Sequence, residues 1–215
     1  MRDYQFIVIE GVIGVGKTSL ALLLAKRLKA KLVLERHEEN PFLVDFYKDP
    51  KRYAFQTEMF FLLSRYKQQL DEFSQPDLFE QLIIADYHFL KNRIFAHLTL
   101  EEREYNLYDR VISALEPTIV TPDLVVYLQS NVERLMQNIR QRDREYERNI
   151  QPKYIQILTD AYNYFFARYT ASPLLIVNST KLDFVQHPRQ FEVLLEQIQQ
   201  APEGVSRFDP DLDSE

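Results

Sequence analysis

The chain has no cysteine. That excludes disulfides and thiolate metal sites, and it agrees with a cytoplasmic location. No apolar run is long enough to span a bilayer, and no signal-peptide pattern opens the chain. Basic charge is not in excess. The formal net charge of −6 argues against a general nucleic-acid-binding surface. Internal repeats and low-complexity segments are missing too. Glycine is scarce, with four in 215 residues. What is present is a 46% share of hydrophobic residues, enough for a real core. One domain is expected over residues 1–200, followed by an acidic, flexible tail over 201–215.

Three of the four glycines fall in one stretch, Gly11-Val12-Ile13-Gly14-Val15-Gly16, followed by Lys17 and Thr18. The stretch fits G-x-x-x-x-G-K-[ST], a phosphate-binding loop. Such a loop turns consecutive backbone N–H groups inward around phosphate oxygens, at dihedrals that a Cβ penalises. Lys17 would reach the β- and γ-phosphates, and the Thr18 hydroxyl would meet Mg²⁺. An ordinary glycine-rich strand-to-helix turn is the bland reading. The flanks favour the motif. Gln5 to Glu10 reads as a buried strand, and Leu20, Leu23, Leu24 and Leu28 recur at helical spacing. A helix N-terminus behind the loop favours an anion.

Further strands are expected at Lys31 to Leu34, Leu82 to Ala85, Leu124 to Leu128 and Leu174 to Val177. Helices are expected from Pro41, over Tyr53 to Phe73, from a Thr99/Glu102 capping box to about Leu115, and from a Ser130/Glu133 capping box into the Arg140 to Arg148 stretch. Two more follow at Pro152 to Tyr169 and Pro188 to Gln200. The alternation implies an α/β fold, a five-stranded parallel sheet flanked by helices. Ligands on such sheets bind at the carboxyl ends of the strands. Glu10, Glu35, Asp86 and Gln129 stand at those ends, as if around one site.

A phosphate loop with strand-end acids suggests phosphoryl transfer, which rests on positioning and charge stabilisation. Asp86 is placed to support the metal; a turn-forming role is its alternative. Glu35 is a candidate to accept or orient a hydroxyl proton, or else a solvated charge beside Glu38 and Glu39. Arg140, Arg142 and Arg144 suit the spread charge of a transferring phosphoryl. Alternate positions do not share one helix face, so two of the three would point inward and the rest would form a solvated face.

Together these pieces resemble the deoxynucleoside kinase family, the group of deoxycytidine, deoxyguanosine and deoxyadenosine kinases. The resemblance runs from Ile7 to about Phe166, through EGVIGVGKTSL, ENPFLVDFYKDPKRYAF, LIIAD, IRQRDREYE and QPKYIQIL in that order. It implies a P-loop kinase with an arginine-rich lid at about 140–149. The implied reaction moves the γ-phosphoryl group of ATP, with Mg²⁺, to the 5′-hydroxyl of a deoxynucleoside in nucleotide salvage. It puts Glu35 on that hydroxyl, Tyr47 and Glu147 on the sugar 3′-hydroxyl, and the three lid arginines over the phosphates. A homodimer is the default assembly, with neither membrane nor nucleic acid as partner.

Two departures from the family pattern stand out. The family usually has arginine and then serine or threonine after the strand-end acid; here Asp86 is followed by Tyr87, His88 and Phe89. Lys91 or Arg93 is left to replace that cation, and His88 reads as a packing residue. The family's base-reading glutamine is replaced by Glu58, with Arg65 seven residues on and Asn92 near a further base-contact position. An ionised glutamate only accepts hydrogen bonds, which suits guanine N1–H and its 2-amino group. A purine is therefore expected, guanine ahead of adenine, unless Glu58 and Arg65 merely pair with each other. Two rival readings stay open. A nucleoside-monophosphate kinase of the thymidylate kinase type shares the loop. A GTP-binding switch protein would need N-K-x-D, for which the chain offers only Thr180-Lys181-Leu182-Asp183.

Overall fold

A computed structural model describes residues 4–73 and 82–210. A parallel sheet of six strands forms the centre: β1 (Phe6–Gly11), β2 (Lys31–Val33), β3 (Ile83–Ala85), β4 (Leu124–Gln129), β5 (Leu174–Asn178) and β6 (Val205–Phe208). The spatial order is β2-β3-β1-β4-β5-β6. Every residue of β1 is buried, as are Leu124 to Leu128 of β4. That explains their unbroken apolar runs: both faces of a parallel sheet are covered.

The helices are α1 (Lys17–Leu28), α2 (Leu43–Lys48), α3 (Pro50–Phe73), α4 (Lys91–Thr99), α5 (Glu102–Leu115), α6 (Val132–Arg142), α7 (Pro152–Phe166) and α8 (Pro188–Gln199). Their apolar stripes face the sheet: Leu20 and Leu24 of α1, Ile155, Leu158, Tyr162 and Phe166 of α7, Leu194 and Ile198 of α8. A smaller cluster, Leu62, Phe89, Ala96, Tyr108 and Ile112, joins α3, α4 and α5 beside the main core.

Several sequence expectations are corrected here. The sheet has six strands rather than five, because Val205–Phe208 pairs in parallel with β5. That strand lies in the stretch expected to be a flexible tail; residues 211–215 lie outside the described residues. Neither expected capping box forms. Glu101 caps α5 in a reciprocal box with Glu104, and Thr99 ends the separate helix α4. Asn131, not Ser130, caps α6, its side chain accepting from the Arg134 N–H at 2.9 Å.

The order of strands fixes where a ligand sits. From β1 the chain crosses to β2 at one edge, returns through β3 beside β1, and continues to β4 on the other side. The crevice of such a sheet opens at the carboxyl end of β1, where the connections diverge. Gly11, Asp86 and the stretch after β2 all lie at that end.

Candidate active site

The phosphate loop leaves β1 at Gly11 and enters α1 at Lys17. Gly16 stands at φ 101° ahead of the helix, a conformation that side chains resist. Gly14 is required for a second reason. A Cβ there would lie 2.8 Å from the Leu135 carbonyl oxygen and 2.8 Å from Ile139 Cγ1. Helix α6 therefore packs directly on the loop, and Asn138 Nδ2 donates to the Gly14 carbonyl at 2.8 Å. Lys17 folds back over the loop, its Nζ donating to the Gly11 carbonyl at 2.7 Å and the Val12 carbonyl at 3.2 Å. Removal from water lowers its pKa to about 8, and the neighbouring Lys91 charge pushes the same way.

Asp86 ties the loop to the acids around it. Thr18 Oγ1 donates to Asp86 Oδ2 at 2.5 Å, and the Glu35 N–H donates to Oδ1 at 2.7 Å. Glu35 sits between two cations. Arg65 reaches Oε1 through Nε at 2.7 Å and Nη2 at 2.5 Å, and Lys91 Nζ reaches Oε2 at 3.1 Å. Burial alone would raise the Glu35 carboxyl. Arg65 and Lys91 outweigh it and hold the group well below the usual carboxylate range. Glu35 is thus a half-buried, clamped carboxylate rather than a solvated turn residue. Arg65 also donates through Nη1 to Asn92 Oδ1, and Asn92 Nδ2 donates to the Phe89 carbonyl at 2.8 Å.

Glu58 is 3% exposed and receives a hydrogen bond from Thr99 Oγ1 at 3.3 Å. Burial raises its pKa to about 7, against the opposing pull of Arg65 and Thr99. A simple Glu58–Arg65 pair is not what the structure shows: Arg65 gives its donors to Glu35 and Asn92. Tyr47 stacks on Tyr146, ring centroids 5.6 Å apart. Burial holds the Tyr47 hydroxyl in its protonated form, well above its ordinary pKa. In the lid, Arg142 Nη2 donates to both oxygens of the buried Glu147, at 2.7 and 2.6 Å, and Arg144 lies 3.7 Å from it.

Two cavities meet on these residues. The first, about 120 Å³, is lined by Lys17, Thr18, Glu35, Tyr47, Glu58, Arg65, Asp86, Lys91 and Glu147. The second, about 470 Å³, is lined by Gly14, Gly16, Asn138, Ser179 and Asp183 among others. Lys17, Thr18, Arg142 and Arg144 line both. Arg140 instead lines a separate hollow with Asp143 and Arg148, and Asn92 stands behind Arg65 with no side-chain exposure. The sequence reading did not find Tyr146, Tyr154, Phe61 and His37, which also line the first cavity. Each looks like a core or surface residue in the sequence; only the fold, with the lid brought against α2, gathers them around one cavity. Asp183, from the weak N-K-x-D match, belongs to the second cavity.

The residues that depart from the family pattern are now placed. Tyr87 is 1% exposed within the main core. His88 is buried, its Nδ1 accepting from the Leu90 N–H and its Nε2 within 3.1 Å of the Tyr169 hydroxyl. Burial lowers its pKa to about 4, so it packs as a neutral ring. Glu10, grouped with the strand-end acids, turns away from both cavities. It accepts from the backbone N–H groups of Gly11 and His88, each at 2.8 Å, and so pins the loop after β3 to the end of β1. Gln129 likewise turns aside, to Asn163. Arg93 leaves the site for Asp109 and Glu116 on the α5 side.

A family model described as deoxynucleoside kinase matches residues 7–201. Deoxyguanosine kinase of Bacillus subtilis (strain 168) is 36% identical over 197 residues, covering 89% of this chain and 95% of that protein. Deoxyadenosine/deoxycytidine kinase of the same organism is 30% identical over 198 residues, covering 90% and 91%. Among solved structures, deoxyadenosine kinase from M. mycoides with bound dATP superposes with a TM-score of 0.78 at 25% identity, covering 91% of this chain and 99% of that one.

Proposed function

The chain belongs to the deoxynucleoside kinase family, and on that premise we infer that it transfers the γ-phosphoryl group of ATP to the 5′-hydroxyl of a purine deoxynucleoside, deoxyguanosine ahead of deoxyadenosine. One observation carries the reading. Two cavities of different character share the phosphate-loop residues Lys17 and Thr18 and the lid residues Arg142 and Arg144. A donor lying along the loop would put its terminal phosphate where an acceptor in the first cavity meets Glu35.

Each residue then has a task. The loop N–H groups and Lys17 hold the donor phosphates. Glu35 accepts the hydrogen bond of the 5′-hydroxyl. Its strongly acidic character suits orientation and late proton acceptance rather than early removal of the proton. Tyr47 and Glu147 meet the sugar, Glu58 meets the base edge, and Arg142 and Arg144 neutralise the phosphoryl oxygens. In this arrangement Arg140 has no contact with the substrates, and Asn92 acts by holding Arg65.

Thr18 and Asp86 fit Mg²⁺: a hydroxyl and a carboxylate oxygen already 2.5 Å apart are hard donors of the kind that ion takes. Among the described residues no cluster of three acidic, histidine or cysteine side chains could hold a metal. The ion would therefore rely on phosphate oxygens and water for the rest of its shell. Bound there, it would supply positive charge to offset that of the donor phosphates.

A homodimer remains the expected assembly. Leu63 on α3 and Leu107 on α5 stay half-exposed on two helices that pack together. Light scattering of wild type and Leu63→Asp tests it; a monomeric wild type rejects it.

The deciding assay offers the four deoxynucleosides and their monophosphates with ATP and Mg²⁺. Purine deoxynucleosides should be consumed, and Lys17→Ala should remove the activity. Turnover of monophosphates alone would overturn the reading.

A further inference from the structure

We propose that Lys91 is a catalytic residue, the cation that meets the transferring phosphoryl group from the acceptor side. The proposal rests on the kinase reading above. It begins from a gap. Where the family pattern sets an arginine, Tyr87 is sealed in the core and carries no charge. Of the two nearby cations, Arg93 is held by Asp109 and Glu116, outside both cavities. Lys91 alone of the pair lines the acceptor cavity.

Its placement is unusual for a lysine. It opens α4 and is 5% exposed, so its ammonium is almost wholly out of water. Lysines are rarely buried so far without a task or a partner. Its partner is Glu35 Oε2, at 3.1 Å. Glu35 does not need Lys91 as its only counter-charge, because Arg65 already contacts Oε1 through two nitrogens. An ammonium has three donors, so contact with Glu35 leaves others for an anion in the cavity.

The surroundings say which anion. Lys17 and Lys91 line one cavity, and the Lys91 charge weighs on Lys17. Two ammonium groups facing a shared space repel each other; Glu35 and Asp86 oppose that repulsion, and an anionic group lying between the two would oppose it further. Thr18, Asp86, Glu35 and Lys91 form a continuous chain of contacts from the phosphate loop to α4. An acceptor hydroxyl on Glu35 would stand beside Lys91, with the γ-phosphorus on the Lys17 side. The 5′-oxygen then bonds to that phosphorus while its bond to the β–γ bridging oxygen breaks. ADP departs with that electron pair, and the hydroxyl proton passes to Glu35 and on to water. Lys91 keeps its proton throughout and balances charge on the equatorial oxygens.

The competing role is positioning alone, in which Lys91 merely steadies Glu35 for acceptor binding. Lys91→Met separates the two. Steady-state kinetics with a purine deoxynucleoside and ATP should show kcat reduced about 10²-fold to 10³-fold, the cost of removing one transition-state donor. Calorimetric binding of the deoxynucleoside without ATP should stay within about threefold of wild type. Lys91→Arg should recover most of the lost kcat. If Lys91→Met does not fold by circular dichroism, Lys91→Gln takes its place under the same criteria. Unchanged kcat overturns the assignment. So does weaker acceptor binding with kcat retained, or a kcat loss that arginine does not recover. Wild-type protein silent on every deoxynucleoside sinks the kinase reading and this assignment together. Active wild type with an indifferent Lys91→Met sinks this assignment alone.

Discussion

At the scale of single residues, the proposed substrate choice turns on Glu58. Ionised, it offers only acceptors, matching the two adjacent donors of guanine. Protonated, it offers one O–H donor and one acceptor, which match adenine N1 and the 6-amino group. Burial places its pKa at about 7, so both forms are populated near neutrality. The charges that act on it come from Arg65, Lys91 and Glu35, with Thr99 donating directly and Tyr108 and Tyr154 close by. The ratio of kcat/KM for deoxyguanosine over deoxyadenosine should therefore rise with pH through about 7, and Glu58→Gln should flatten it. Other titrations of the enzyme cancel in the ratio, so a flat wild-type profile would remove Glu58 from base reading. Stability carries the same signature. The folded pKa lies above the ordinary value of 4.5, so the folded state binds more protons between 4.5 and about 7. Stability contributed by this group falls as pH rises through that window, and the penalty is complete above it. Chemical denaturation should show Glu58→Gln gaining on wild type by roughly 3 kcal/mol across the window in the ligand-free enzyme. The residue and its helix face were legible in the sequence. Its protonation was not, because the groups around it come from distant segments: Thr99 of α4, Tyr108 of α5 and Tyr154 of α7.

At the scale of elements, α6 couples the phosphate loop to the lid. Its middle packs on Gly14, and its end delivers Arg142 to Glu147. Gly14→Ala meets both a φ of 85° and two contacts at 2.8 Å, one of them a backbone carbonyl that cannot swing away. The helix must shift outward, taking Arg142 with it. Activity should fall at least about 10²-fold, with the KM for ATP raised, as for other displacements of positioned groups. A variant with wild-type KM for ATP would show that the helix does not bear on the loop. Arg142→Ala should act differently, leaving Glu147 as a buried carboxylate without its bidentate partner. Loss of about 3 to 5 kcal/mol is expected for such an orphaned charge, less what the nearby Arg144 recovers. Thermal unfolding measures it. Elements with apolar periodicity, such as α1, α7 and α8, were legible in the sequence. Helix α4 was not: Leu90 caps it without a side-chain hydrogen bond, so its start leaves no mark. The α5 cap was misplaced for a related reason. Glu101 is a less familiar capping residue than the nearby Thr99, whose hydroxyl instead bonds back to the Phe95 carbonyl.

At the scale of the whole molecule, the site belongs to one end of the sheet, along the ends of β2 to β5, and leaves out the edge strand β6. The strand alternation predicted the parallel sheet and its ligand-binding end, because buried strands and amphipathic helices write their periods into the sequence. It did not predict β6, whose V-S-R-F run is half-exposed and owes its conformation to the edge it joins. That edge lies across β4 and β5 from the crevice beside β1. Ending the chain after Ala201 should therefore leave kcat and KM near wild type while lowering the melting temperature. The loss includes the ladder from Leu174 to Val177 and the Asn178–Asp209 hydrogen bond. If these are worth about 1 to 2 kcal/mol together, the melting temperature falls by roughly 2 to 8 °C in a domain of this size. Truncation also bares β5 as an edge with open N–H and C=O groups, so the shortened protein should aggregate sooner on heating. Scanning calorimetry and turbidity on the two forms measure both effects. A truncated enzyme with impaired kcat at a temperature where it stays folded would mean that the outer strand reaches the donor cavity through β5, since Ser179, Leu182 and Asp183 line that cavity just beyond its end.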